Sequence, residues 1–362
     1  MFKAVAGYYK DNERLRLLVK IIAVWLISRA VMLLMVPVMN LIADEPHQWL
    51  YYMNPWDAEW YKGIVENGYQ PPKSSGMASW AFFPLYPLVC MAVRLVTMGS
   101  IDTYAVGMTV SNICIIIAVY YAVKYADIEL DMKKYNKKTV EDIIIFLMLA
   151  GPFAVYYGAM YTEALFILCV ILCFYNSARH NYMAAGIAAA MASATRIVGC
   201  MLVFVLITYM FMETCAECRA KHNSEMKDNK EAGIIDKCML TEEAGILIAG
   251  NISLASVIRT FIKNVIKEPK KLVAIMISPL GIFIYMNYLR YFCGDSWAFY
   301  HVQRAWRTQK MFPVIGVLFK SCTGQLSAAS GVKTLNGIIL GWLCVITLML
   351  YAAMIRKKHY AL

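Results

Sequence analysis

The sequence predicts an all-α protein that crosses a membrane several times. Of its 362 residues, 60% are hydrophobic and only 16% are charged, and the mean hydropathy is +0.53. A soluble domain of this length needs more charge to cover its surface. The apolar residues also fall in runs close to the roughly 20 residues that a helix needs to cross a bilayer. Together these observations predict a polytopic helical bundle.

Eight apolar runs are the candidate spans. The first follows a basic N-terminus and is too long for the core of a cleaved signal peptide, so we interpret it as an uncleaved span. The stretch 183–213 is long enough for two short spans, with a break near Arg196. The predicted spans are 21–42, 104–124, 140–157, 162–178, 183–196, 198–213, 272–291 and 335–355.

Two further runs, 82–98 and 312–330, are ambiguous as spans. Positive charge favours placing both outside, because Lys and Arg concentrate in cytoplasmic loops. With both termini inside, 24 of the 35 Lys and Arg residues are cytoplasmic, whereas a span at 82–98 would move the basic block at 133–138 outside. We therefore expect a multi-pass protein of the cell membrane with both termini in the cytoplasm.

This topology divides the chain into three parts. The net charge of +11 comes from residues that flank apolar runs, so membrane lipids explain it better than nucleic acid does. The hydrophilic segment 214–271 contains an apolar patch, Ile246 to Ile258, that suits the membrane interface. The predicted parts are a membrane module at 1–213 with its first outer loop at 43–103, a cytoplasmic insertion at 214–271, and a C-terminal membrane part at 272–362 with an outer loop at 293–334.

The main candidate acid, Asp57, lies in the segment from Asn54 to Tyr61, just after the first predicted span. We expect Asn54 to cap a helix with Pro55 in its first turn. Asp57 would then face water and lipid headgroups, which suits a base that takes a proton from a hydroxyl. The alternative is that Asp57 only complements the helix dipole. We expect a stripe of this helix to lie on the membrane surface: Trp60, Tyr61, Ile64 and Val65.

Other charged residues lie near predicted span ends or within a span. Glu163 opens the fourth span after a very short outer turn, with Tyr161 or Thr162 as its cap, and is either functional or a helix-start acid. Arg196 suits a phosphate, or reaches the interface by snorkelling. Arg29 lies in the middle of the first span, so we expect a carboxylate or phosphate partner.

Two aromatic segments are predicted to lie outside. The segment from Trp80 to Leu88 contains two prolines, Pro84 and Pro87, which disfavour a regular span at the start of 82–98, and it is either a surface element or an interfacial anchor. After the seventh span, Asp295 or Ser296 is expected to cap a helix that carries His301 and Arg304 on one face. Contact with phosphate or sugar and a purely interfacial helix are equally supported there.

Five segments follow one another along the chain: Trp56-Asp57-Ala58, Phe82 to Pro87, Tyr161 to Phe166, Ala194-Thr195-Arg196 and Gly294-Asp295. Taken in this order they resemble the PIG-V-type mannosyltransferases, and the resemblance covers roughly 21–310. Eukaryotic members add the second mannose in glycosylphosphatidylinositol assembly, and many bacteria carry shorter relatives, of which we expect this chain to be one. The family tends to have Ser-Glu-Ser where this chain has Thr162-Glu163-Ala164, and Arg-Pro where it has Arg196-Ile197.

The resemblance implies a GT-C-like fold, with about eight transmembrane helices and surface helices in the first outer loop. It implies an inverting mannosyl or hexosyl transfer from a polyprenyl-phosphate-sugar to a lipid, glycan or protein acceptor of the cell envelope. Asp57 matches the essential acid of the class, Glu163 the second acid, and Arg196 the basic residue near the lipid phosphate. No cofactor is certain, with a divalent cation as one option, and the sequence does not decide whether a partner protein is needed.

These considerations assign a role to each candidate residue. The alternative function is a transporter or flippase of a lipid-linked or small polar substrate, and a structural scaffold is a third. A transporter usually has internal repeats and ionisable residues along a central path, whereas this chain shows no repeat. We expect catalysis by Asp57 and Glu163, donor-phosphate binding by Arg196, Arg304 and Arg29, and substrate binding by Trp56, Trp60, Tyr61, Tyr86, Tyr161, Asp295 and His301.

Overall fold

The helical class predicted from composition is confirmed for the residues that the structure, a computed structural model, describes. Every regular element in these residues is a helix. Three stretches are long and apolar enough to cross a membrane: Glu13–Val38, Thr103–Glu129 and Ile197–His222. A fourth span results if Pro269–Ile277 and Leu280–Cys293, bent by 43°, count as one. The described residues are 12–42, 48–54, 56–72, 76–151, 153–231, 253–305 and 322–323.

The helices follow one another along the chain with mostly short connections. Single turns of 3-10 helix lie at Ser79–Ala81, Ile197–Met201 and Val302–Ala305. The α-helices are α1 (Glu13–Ile42), α2 (Trp49–Met53), α3 (Ala58–Asn67), α4 (Leu85–Val96), α5 (Thr103–Glu129), α6 (Lys137–Leu149), α7 (Glu163–Ala178), α8 (Tyr182–Thr195), α9 (Leu202–Glu231), α10 (Leu254–Lys267), α11 (Pro269–Ile277), α12 (Leu280–Cys293) and α13 (Ala298–His301).

The chain divides into two compact units, and the larger contains all of these α-helices. It consists of Met1–Lys237 with Gly250–Gln303. The smaller unit, Cys238–Ala249 with Arg304–Leu362, lies almost entirely outside the described residues. The predicted span 335–355 and most of 312–330 also lie outside them, so the count of eight spans stays a prediction.

Helices α7 and α8 form the centre of the larger unit. They pack on each other, α5 packs on α7, and α11 and α12 pack on α8. Glycines permit the close approach: a methyl group on Gly186 would stand 2.7 Å from the carbonyl oxygen of Ala274, and one on Gly281 only 2.3 Å from that of Ala190. Small residues at such contacts are typical of helices that pack inside a membrane.

Two predicted span boundaries have different outcomes. The break near Arg196 is confirmed, because α8 ends at Thr195 and α9 begins after a 3-10 turn. The predicted span 140–157 is wrong in its second half, since α6 ends at Leu149 and the described residues between it and α7 form no helix or strand. The sequence Gly151-Pro152 explains this end, because proline and the residue before it both oppose helix continuation.

Residues 150–162, which we term the connector, and the last residue of α6 before them are held by polar side chains from elsewhere in the chain. A non-helical backbone at membrane depth needs such partners, because unsatisfied backbone groups are costly there. The predicted very short outer turn is therefore a longer, anchored segment. The bonds run from the Ser28 hydroxyl to the Leu149 carbonyl (2.5 Å), from Arg29 Nη1 to the Ala154 carbonyl (2.9 Å), from Asn112 Nδ2 to the Gly158 carbonyl (3.2 Å), from the Met160 N–H to Asn54 Oδ1 (2.7 Å) and from the Ser111 hydroxyl to the Tyr161 carbonyl (3.3 Å).

Arg29 has neutral partners instead of the carboxylate or phosphate that its place in the first span predicts. Its Nε donates to Asn112 Oδ1 at 2.8 Å, and its Nη1 to the carbonyl of Ala154. Its Nη2 is buried and makes no hydrogen bond in the described part of the chain. The described residues supply no carboxylate to Arg29, because the connector brings a carbonyl oxygen to its level, and a phosphate partner stays a prediction. Arg29 is thus a support of the connector.

Replacing Gly158 with Ala is expected to destabilise the protein. The new methyl group would stand 2.8 Å from Arg29 Cζ, closer than methyl groups pack, and the guanidinium cannot retreat without losing its two bonds. Overpacking of this kind costs about 1–3 kcal/mol. Thermal unfolding of purified protein in nanodiscs measures the effect. Gly63→Ala is the matched control, since its methyl group meets no atom within 4 Å, and equal unfolding temperatures of the two variants would contradict the close contact.

Candidate active site

The turn between α2 and α3 positions Asp57. Asn54 was predicted to cap the following helix, but it ends α2, because its side-chain amide donates to the Leu50 carbonyl (2.8 Å) and accepts from Met160. Asp57 itself is the N-cap residue of α3. Its backbone N–H donates to the hydroxyl of Tyr161 at 3.1 Å, which joins the start of α3 to the connector.

The Asp57 carboxylate makes no hydrogen bond in the described part of the chain, and it does not cap α3 with its side chain. The residue is exposed, yet neighbouring protein removes enough water to raise the pKa of its carboxyl. The negative charge of Glu163 raises this pKa further, and the positive charge of Arg196 partly opposes the rise. Asp57 is therefore an accessible, uncommitted acid within the electrostatic influence of both other candidates.

Glu163 and Arg196 form an ion pair across the α7–α8 hairpin. Thr162 is the N-cap of α7, as predicted, so Glu163 opens the helix, while Arg196 ends α8. Because a short turn joins the two helices, the start of α7 and the end of α8 meet at the same end of the hairpin. Arg196 Nη1 lies 2.5 Å from Glu163 Oε1, and both side chains are partly exposed. The other guanidinium nitrogens of Arg196 have no partner among the described residues.

Aromatic side chains surround these three charged residues. Tyr61 is buried, with its hydroxyl 3.4 Å from Thr162 Oγ1, and its ring meets that of Tyr161 at 6.3 Å. Trp56 is 73% exposed with φ 52°, a left-handed conformation that non-glycine residues seldom adopt, and it stacks on Tyr156 at 6.3 Å. A strained, exposed tryptophan beside an acid is suited to contact the face of a sugar ring or a lipid.

Helix α3 presents its apolar stripe to the protein instead of the membrane surface. Tyr61, Ile64 and Val65 are buried, and Trp60 stacks on Phe82 at 5.7 Å. The spacing of the stripe was identified correctly, but spacing cannot tell lipid from protein as the apolar partner. The buried stripe fixes α3, and with it Asp57, against the rest of the unit.

Tyr86 was predicted to bind substrate and is instead part of the core. It is fully buried, and its hydroxyl donates to the Gly107 carbonyl and bonds with Ser111, both at 2.9 Å. These bonds attach α4 to α5. With 12 residues, α4 is also too short to cross a hydrocarbon core of about 30 Å, as expected for 82–98.

Comparison with protein-family models decides to which family the chain belongs. Residues 15–227 match the family model described as Mannosyltransferase (PIG-V). The chain belongs to the PIG-V mannosyltransferase family. The match covers more than half of the chain and includes Asp57, Glu163 and Arg196. A search of curated proteins and a search of solved structures each return no match. As a member of this family, the protein is a membrane-embedded glycosyltransferase.

Asp295 and His301 lie beyond the region matched by the PIG-V model, and within the described residues they bond with each other and with Trp297, and not with Asp57. Asp295 Oδ2 lies 2.6 Å from His301 Nδ1, and this bond lowers the pKa of the Asp295 carboxyl. Asp295 Oδ1 accepts from the N–H of Trp297, which is the N-cap of α13 in place of the predicted Asp295 or Ser296. The side chain of Arg304 lies outside the described residues.

The PIG-V chain also has supporting residues that sequence reasoning missed. Asn112 accepts hydrogen bonds from Arg29 and from Trp25 Nε1 (2.7 Å), and donates to the connector. Its one sequence signal was an amide in the middle of a predicted span. Ser111, in the same predicted span, was missed in the same way, whereas Asn54 was identified only as a helix cap. Within the described residues, no group of three or more His, Cys, Asp or Glu side chains could hold a metal ion.

Proposed function

We propose that this protein transfers a mannosyl or related hexosyl group from a polyprenyl-phosphate-sugar to a cell-envelope acceptor at the outer face of the membrane. The observation that carries the proposal is the uncommitted Asp57 carboxylate, with raised pKa, within the influence of the Glu163–Arg196 pair. A free carboxylate near a guanidinium suits a reaction in which a proton is accepted while a phosphate leaves. Family membership likewise favours transfer over the transporter or flippase alternative.

In the proposed reaction, Asp57 accepts the proton of an acceptor hydroxyl. The hydroxyl oxygen forms a bond to the anomeric carbon from the face opposite the phosphate, and the bond from that carbon to the phosphate oxygen breaks. The sugar is thereby transferred with inversion, and the polyprenyl phosphate leaves with the electron pair. A raised pKa suits Asp57 to this task, because a base works best when its pKa approaches the working pH.

Arg196 is the proposed partner of the departing phosphate. Its guanidinium has unused N–H donors, and stabilising the charge that develops on a leaving group is usually the largest contribution to catalysis. Glu163, which bonds to Nη1, positions the guanidinium. Arg29 is a weaker candidate for the phosphate than Arg196, because its Nε and Nη1 already donate to Asn112 and to the connector.

The proposed topology places both termini and the 214–271 insertion in the cytoplasm, opposite the reaction. It rests on the distribution of Lys and Arg along the sequence. The acceptor is a lipid, glycan or protein of the envelope, and the chemistry of the site requires only that it offers a hydroxyl group.

A transfer assay tests the function. Purified protein in nanodiscs receives radiolabelled polyprenyl-phosphate-mannose and a native lipid and glycan extract, and labelled products are separated by chromatography. We expect a labelled product with the wild type and none with Asp57→Asn. A second reaction with a nucleotide-linked mannose as the donor should give no product. Folded wild-type protein that transfers only from the nucleotide sugar, or from no hexosyl donor, would contradict the proposal.

A further inference from the structure

Helix α10 lies along the boundary between the apolar and polar parts of α9. From Leu202 to Met212, α9 carries no charged residue, and Glu213 is its first. The contacts with α10 fall on both sides of this change: the rings of Phe211 and Phe261 meet at 5.7 Å, and Asn264 Nδ2 donates to Glu217 at 2.9 Å. Because α9 is part of a stretch that is long and apolar enough to cross a membrane, we expect α10 to lie at the membrane–water interface.

One exposed face of α10 is an apolar stripe. The side of the helix that carries Val257 and Val265 is buried against the protein. On the adjoining side, an aliphatic residue recurs every fourth position and is 42–66% exposed. Spacing of four keeps these side chains on one face of the helix. The apolar stripe consists of Leu254, Ile258, Ile262 and Ile266.

A basic row runs beside the apolar stripe. Arg259, Lys263 and Lys267 each follow a stripe residue by one position, and all three are exposed. None of them has an ion pair in the part of the chain that the structure describes. Lys271, four residues beyond the row, differs: it is buried and paired with Glu213 and Glu268, both at 2.9 Å. The row therefore presents unneutralised positive charge at the level of the interface.

We propose that α10 is a binding surface for anionic phospholipid headgroups. The apolar stripe inserts at the boundary of the acyl chains, and the basic row meets the phosphates, the arrangement by which basic amphipathic helices bind membrane surfaces. Charge complementarity and the position at the interface both indicate lipid as the occupant. The inference extends the sequence prediction of an interfacial patch at Ile246 to Ile258, of which the part before 253 lies outside the described residues. It does not depend on the proposed sugar transfer.

Hydrogen–deuterium exchange of the full-length protein in nanodiscs tests this surface. We compare nanodiscs of phosphatidylcholine alone with nanodiscs that also contain phosphatidylglycerol. The amides of α10 should exchange at least about fivefold more slowly with the anionic lipid, since each basic residue near such a surface contributes a few-fold in affinity. The difference should shrink at high salt, which screens exposed charges.

Three variants make the test specific. R259Q/K263Q/K267Q should lose the dependence on phosphatidylglycerol, whereas R259K/K263R/K267R, which retains the charges, should keep it. K133Q/K134Q/K138Q removes the same charge from the α5–α6 turn and the first turn of α6, and should leave the exchange of α10 unchanged. Equal exchange in both lipid compositions would overturn the proposal, as would slow exchange that persists in R259Q/K263Q/K267Q. Protection that appears only after a soluble protein extract is added would also overturn it.

Discussion

Replacing Asp57 with Asn is expected to lower the rate of sugar transfer by about 10²–10⁴-fold, the range that general acid–base groups contribute. Asn keeps the size of the side chain but cannot accept the proton of the acceptor hydroxyl. The fold should be unaffected, because the carboxylate makes no hydrogen bond in the described residues and the bond from the backbone N–H to Tyr161 remains. Initial rates in nanodiscs, with thermal unfolding alongside, measure both effects.

Glu59→Gln is the matched control for Asp57→Asn. Glu59 lies in the first turn of the same helix, so its loss changes the interaction with the helix dipole to a similar extent. Its bond with the Tyr104 hydroxyl can be kept by the amide oxygen of Gln. We expect near-normal transfer in this variant. If both variants lost activity equally, Asp57 would be a helix-dipole residue, and near-normal transfer by Asp57→Asn would remove it from the mechanism.

The variants Glu163→Gln and Arg196→Gln are expected to shift the pH dependence of transfer in opposite directions. Asp57 acts as a base only when it is deprotonated, so activity falls as the pH drops through its pKa. Loss of the Glu163 charge removes one cause of the raised pKa, and the fall should then occur at lower pH. Loss of the Arg196 charge removes the opposing effect, and the fall should occur at higher pH. Rates measured across pH on the same preparations test both signs.

The two variants should also differ in their maximal rates. Arg196→Gln removes the proposed phosphate partner and should cost about 10²–10³-fold, as removal of one charge-stabilising donor typically does. Glu163→Gln should cost less, because it only releases the guanidinium from its position. In the double variant the losses should not multiply, since residues in direct contact are coupled. Shifts of the same sign in both single variants would contradict the proposed charge arrangement around Asp57.

Composition and periodicity predicted the features that depend on a residue and its near neighbours. The helical class follows from long apolar runs, the break at Arg196 from two apolar segments too short to be one helix, and the cap at Thr162 from the residue type before Glu163. The ordered motifs predicted the family, because the residue types and their order along the chain can be read without knowing how the helices pack. These features need no knowledge of which distant residues meet.

Features that depend on distant residues were decided only by the tertiary structure. Asn54 is a residue type that often caps helices, but its side-chain oxygen accepts a hydrogen bond from a backbone N–H 106 residues away. The α3 stripe has the spacing of a surface helix, but Phe82 covers it. Arg29 is expected to need a charged partner, but the connector supplies a carbonyl 125 residues away.

The sequence by itself therefore determined that this protein is a helical membrane glycosyltransferase of the PIG-V family and identified the acids and the arginine on which its proposed chemistry rests. The tertiary structure decided which polar side chains support the backbone and which remain uncommitted. The physical reason is that most buried polar groups are hydrogen-bonded, and in a helical bundle the partner often comes from a distant part of the chain. The availability of Asp57 and the pairing of Glu163 with Arg196 are results of packing that no local pattern contains.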